Sequence, residues 1–136
     1  YLHRETATAF TGDVAGVRIP PAPFAAAPTP PPDIDVELWH SSLDALAAWK
    51  PRRLCLTHFG SVDDGVPGHL AEVGRRLDAW AALARDLDEA GFVSRTQEEI
   101  ERAADLDTAA AFVQAAPPEQ LYAGLRRYWR KRAETA

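Results

Sequence analysis

Seven of the eleven prolines in this 136-residue chain fall between Pro20 and Pro32. Proline fixes φ at about −65° and carries no backbone N–H, so such a stretch can be neither a helix interior nor a central strand. The chain must therefore route an extended loop between a short leading segment and a long trailing one. The loop reads either as a plain linker or as the wall of a site, because it leaves directly from the segment that holds Asp13. The remaining prolines, Pro51, Pro67, Pro117 and Pro118, each mark the edge of an element.

Before the loop, Tyr1 to Asp13 reads as a hairpin. Tyr1-Leu2-His3 forms one arm, Arg4-Glu5-Thr6 the turn, and Ala7 to Thr11 the second arm, closed by Gly12-Asp13. After the loop, Asp33 or Asp35 can cap a helix. Leu38, Trp39, Leu43, Leu46 and Trp49 follow at helical spacing, and Pro51 ends the pattern. Arg53 to Thr57 reads as a short strand covered on both faces, since Leu54-Cys55-Leu56 is continuously apolar. His58 to Gly68 reads as a Gly- and Asp-rich loop. Pro67 opens a long helix whose stripe is Leu70, Val73, Leu77, Trp80, Leu83 and Leu87, with Gly91 as its stop. Thr96-Gln97-Glu98-Glu99 has the capping-box pattern and predicts a third helix to about Ala115. A fourth runs from Glu119 to about Ala133.

The balance of 15 basic and 20 acidic residues gives a formal charge of −5. That argues against nucleic acid or an anionic membrane as the main partner, since both select basic surfaces. No apolar run approaches the about 18 residues of a membrane span. The single cysteine, Cys55, excludes an internal disulfide framework. A cytoplasmic protein with a small-molecule substrate is the expectation. Because the chain opens on Tyr1 inside a strand-like segment and holds no methionine, it reads as the carboxy-terminal part of a longer protein.

Two segments carry potential chemistry: Phe10-Thr11-Gly12-Asp13 and Leu54-Cys55-Leu56-Thr57-His58-Phe59-Gly60. Each is an apolar run ending in a potential metal ligand beside a glycine, and a carboxylate with an imidazole is a donor set that zinc uses. Taken singly, Asp13 reads as a turn aspartate and His58 as a hydrogen-bonded strand-end histidine. Their order, the helix between them and the 45 positions from 13 to 58 favour the metal reading. In that pattern the chain resembles the carboxy-terminal half of a metallo-β-lactamase-fold hydrolase, over roughly Tyr1 to Leu87. Val14 to Arg18 and Pro31 to Asp35 look like a bacterial branch of that family without a settled substrate.

The resemblance implies an α/β fold, the second half of an αββα sandwich, followed by additional helices. The expected division is 1–90 for the half-domain, with the Pro-rich loop at 20–32, and 91–136 for a helical extension. It implies a metal-bound hydroxide acting on an ester, thioester, lactone or related bond. Asp13 would bridge two metals and serve catalysis, and His58 would ligate the second. Zinc is the expected cofactor; iron and manganese suit the same donors. The family's remaining ligands come from a His-x-His-x-Asp-His motif and a further histidine upstream. Neither is present here, and His3 does not substitute. The chain is thus expected to be inactive alone, with a complementing amino-terminal half or a second copy as partner.

The alternative reading is non-enzymatic: a helical interaction or oligomerisation module, suggested by the apolar stripes after His58. Other candidates are weaker. His40, Ser41, Ser42 and Asp44 lie on different faces of one helix and cannot form a relay. His69, near Asp63 and Asp64, reads as a first-turn surface residue, and Cys55 as a small buried hydrophobe. Arg126, Arg127, Arg130, Lys131 and Arg132 suit the negative end of a helix dipole better than nucleic acid on an acidic chain.

Overall fold

The computed structural model describes residues 1–32 and 34–135, so the capping role considered for Asp33 lies outside the described residues. The chain is mixed α/β, with two small sheets and five α-helices among the described residues. Strand β1 (Leu2–His3) turns back antiparallel to β2 (Thr8–Phe10), as the hairpin reading expects. β2 then pairs in parallel with β5 (Arg53–Cys55), with Ala9 opposite Leu54 and Phe10 opposite Cys55. Parallel neighbours need a long crossover. Here it contains the Pro-rich loop and helix α1 (Val36–Ala48).

The pairing register assigns the faces. Leu2, Ala9, Leu54 and Val62 share one face of the sheet, and the last three are buried in the core. On the other face, Phe10 and Arg53 are exposed and Cys55 is half-buried. The expectation that β5 is covered on both faces is therefore corrected. A run of three apolar residues is too short to separate a doubly covered strand from a singly covered one.

Three further strands were not anticipated. Ser61–Val62 forms β6, which returns antiparallel to β5 and makes the His58 segment a hairpin turn rather than an open loop. Within the Pro-rich segment, β4 (Ala25–Ala26) pairs with β3 (Val17–Arg18). Thr29 is wholly buried there and donates its hydroxyl to the Leu121 carbonyl at 3.2 Å. The segment is packed structure, not a linker.

Asp35 caps α1 by accepting the Leu38 N–H at 2.8 Å. The long helix α2 (Val66–Asp86) starts at its proline and buries Leu70, Val73, Leu77 and Trp80. It ends at Asp86, with Leu87 already extended, before Gly91. A new helix, α3 (Glu89–Ala103), begins at Asp88, whose carboxylate takes the Gly91 N–H. Gly91 is thus in a first turn, and Thr96-Gln97-Glu98-Glu99 is helix interior. Thr96 is buried and donates to the Phe92 carbonyl, while Glu99 accepts from Arg76 and from the Trp80 indole. A second cap, Asp105 on the Thr108 N–H, divides the predicted third helix and starts α4 (Leu106–Ala115). Helix α5 (Pro118–Thr135) follows the proline pair.

One core runs from Ala9 through Trp80, Phe92, Phe112 and Leu125 to Tyr128, so residues 1–90 and 91–136 contribute to the same interior. The apolar stripes of α3 to α5 are largely spent inside the chain, where Phe92, Ile100, Phe112, Leu121 and Leu125 are buried. Tyr128 of α5 hydrogen-bonds Glu37 of α1, and burial with that carboxylate pushes its phenol up to about 12. Among the described residues no helix is long and apolar enough to cross a membrane.

Candidate metal-ligating pair

Asp13 and His58 occupy equivalent places. Each lies three residues beyond the carboxyl end of one of two adjacent parallel strands, β2 ending at Phe10 and β5 at Cys55. Ligands of open α/β sheets gather outside such strand ends. Thr11 joins the two exits, its N–H reaching the Cys55 carbonyl at 3.2 Å and its hydroxyl the same atom at 3.3 Å. The result brings residues 45 positions apart together: His58 Nε2 stands 3.7 Å from Asp13 Oδ1.

Neither residue is on a strand itself. Asp13 is in a 3-10 turn, Gly12–Ala15, entered through Gly12 at φ 59°. His58 is at the tip of the β5–β6 hairpin, followed by Phe59 at φ 65° and Gly60 at φ 111°. A bulky residue in the left-handed region is an outlier, and such positions cluster at functional sites. The Leu56 N–H to Gly60 carbonyl bond, 3.0 Å, closes the turn around His58.

The Asp13 turn is held from behind. The Trp39 indole of α1 donates to the Val14 carbonyl at 2.7 Å. The His69 ring of α2 contacts the Ala15 carbonyl through Nε2, also at 2.7 Å, and donates there. Two consecutive carbonyls just past Asp13 are thus fixed by two different helices. His69 is 8% exposed, which corrects its reading as a surface residue. Desolvation by burial pulls its pKa below the usual histidine value. Nothing in the sequence marks it, because its partner is a main-chain atom 54 positions away.

The side chains of the pair are open to solvent, 61% for Asp13 and 56% for His58. At 3.7 Å they are not hydrogen-bonded to one another, so their lone pairs are not spent on each other. Two donors on a tetrahedral zinc, each about 2.0–2.1 Å away, stand about 3.3 Å apart. The observed gap exceeds that by a few tenths of an ångström and fits two ligand positions. It fits no more than two: among the described residues no group of three His, Cys, Asp or Glu could hold a metal.

The other candidates are placed apart from this pair. His40 contacts Asp78 at 2.7 Å, and Ser41 and Ser42 donate to the Glu37 and Leu38 carbonyls. His3 contacts Thr6. Asp63 accepts from Ser61 and pairs with Arg53, and these bonds lower its pKa. Cys55 is half-buried. In the terminal cluster, Arg132 pairs with Glu37 and Arg126 donates to the Ala84 carbonyl, tying α5 to α1 and α2.

No family model matches the chain, and no curated protein or solved structure matches it.

Proposed function

We propose that this chain is the carboxy-terminal half of an αββα, metallo-β-lactamase-type hydrolase acting on an ester, thioester, lactone or related bond. Asp13 and His58 are its ligands to zinc. The observation that carries the reading is their approach to 3.7 Å across the ends of β2 and β5. The order of the two motifs along the chain points to the same pair.

Each residue has a definite task. The Asp13 carboxylate offers two anionic oxygens and can span two cations, offsetting their mutual repulsion. The His58 imidazole offers one neutral nitrogen from the adjacent turn. The Trp39 and His69 donors keep the Asp13 turn from shifting as charge collects before it. Zinc, when bound, makes water acidic enough to be a nucleophile near neutral pH and polarises the scissile carbonyl. Two protein donors fall short of a closed ligand set. The others come from outside the described residues, either a preceding segment or a partner chain. The sheet face that carries the exposed Phe10 and Arg53 is where a second sheet would stack in a sandwich.

The test is metal analysis of the protein expressed from its complete reading frame. One to two zinc ions per chain are expected, lost or halved by Asp13→Ala or His58→Ala. Full metal content in both variants would refute the assignment.

A further inference from the structure

Beside Asp13 lies an open groove of about 440 Å³, within the range of small-ligand sites. We infer that this groove binds a neutral, apolar alkyl or acyl group of the substrate. The inference rests on the hydrolase reading and narrows its substrate class.

One wall is made by Pro28 and Pro30, the other by Leu38 and Trp39 of α1. Proline supplies no N–H, so the first wall offers a bound group apolar surface rather than donors. That wall is rigid because Thr29, between the two prolines, is keyed into α5. Its hydroxyl reaches the Leu121 carbonyl, and a Cβ at Gly124 would lie 1.9 Å from the Thr29 carbonyl oxygen. The second wall is fixed by the Trp39 indole on the Val14 carbonyl. Leu38 is left 65% exposed at this groove, a large apolar side chain on a capped, ordered helix.

Charge decides the class. Asp13 and Asp35 are the ionisable side chains of the lining among the described residues, and no lysine or arginine joins them. In the metal-free chain a carboxylate or phosphate in this groove would meet the like charges of Asp13 and Asp35. Asp13 gives its charge to the metal in the loaded protein, and Asp35 already caps α1. A cationic group would meet the metal's charge in the loaded protein and the apolar surface of Pro28, Pro30, Leu38 and Trp39. A neutral chain therefore fits, with its reactive carbonyl directed toward Asp13 and His58.

The experiment uses isotope-labelled chain and two isosteric probes, hexanamide and hexanoate. Hexanamide should give saturable shifts of the Trp39 indole and Val14 amide signals. Hexanoate should bind about tenfold more weakly, as two nearby carboxylates require. Leu38→Gln, an exposed position that folding does not depend on, should weaken hexanamide by about threefold or more. Unmoved Trp39 and Val14 signals, or hexanoate binding as tightly as hexanamide, would overturn the inference. A cobalt(II) titration of the same sample keeps the two readings apart. Hexanamide binding that survives while cobalt ignores Asp13 and His58 sinks the hydrolase reading and leaves the groove standing.

Discussion

Trp80 and Phe59 mark two regions built under different constraints. Trp80 sits mid-way along α2, wholly buried, with its indole N–H on Glu99 and its ring beside Phe24. Phe59 sits at a hairpin tip, half exposed, in a left-handed backbone conformation beside His58. Around Trp80, packing, hydrogen bonding and helical periodicity agree. Around Phe59 they conflict, and the conflict falls where the potential ligands meet. The helical block buries the large side chains, while the strand ends leave the side chains of Asp13 and His58 open to solvent.

The sharpest way to break this comparison is to damage the block. Trp80→Ala should cost about 3–5 kcal/mol in urea unfolding, from the lost ring and the cavity left behind. Gly124→Ala should cost less, about 1–3 kcal/mol, because its Cβ meets the Thr29 backbone, which cannot step aside as a side chain would. A loss under about 0.5 kcal/mol for either would mean that the block is not the stabilising unit.

The boundary between the regions should respond more mildly. His69→Gln should lose about 1 kcal/mol through the weakened bond to the Ala15 carbonyl. It should also remove a pH dependence. The folded pKa of His69 lies below the usual histidine value of about 6.5, so the folded state holds it neutral while the unfolded state takes up a proton. The contribution is fully present above about pH 6.5 and is lost as pH falls through the folded pKa. Other groups face the ring's surroundings, notably Arg18 and Glu72. Unfolding at pH 7.5 and 5.5 should therefore show a smaller decline in His69→Gln than in the parent. Equal declines would remove His69 from the account.

How much of this was legible in the sequence follows the same division. The leading hairpin, α1, α2 and α5 were readable because periodicity and proline positions agree with the packing that buries them. Gly91 and the Thr96 to Glu99 segment misled because local cap signals have tertiary uses here. Gly91 is received by Asp88, and Glu99 is taken by Arg76 and Trp80. Strands β4 and β6 are two residues each, too short to show alternation, and Ala25-Ala26 is a weak strand former. At the candidate site, motif order singles out Asp13 and His58 as a pair. Their mutual distance was not legible, since it depends on the β2–β5 register. The Trp39 and His69 clamps were invisible because their partners are main-chain carbonyls.

The central claim is that Asp13 and His58 act together as metal donors while adding nothing to the fold. Cobalt(II) broadening of amide signals, read alongside urea unfolding in Asp13→Ala and His58→Ala, tests it most directly. The account predicts that signals of residues 11–15 and 57–60 broaden first in the parent chain and in neither variant. It also predicts that both variants unfold within about 0.5 kcal/mol of the parent. Broadening centred elsewhere, or persisting when either side chain is removed, would contradict it.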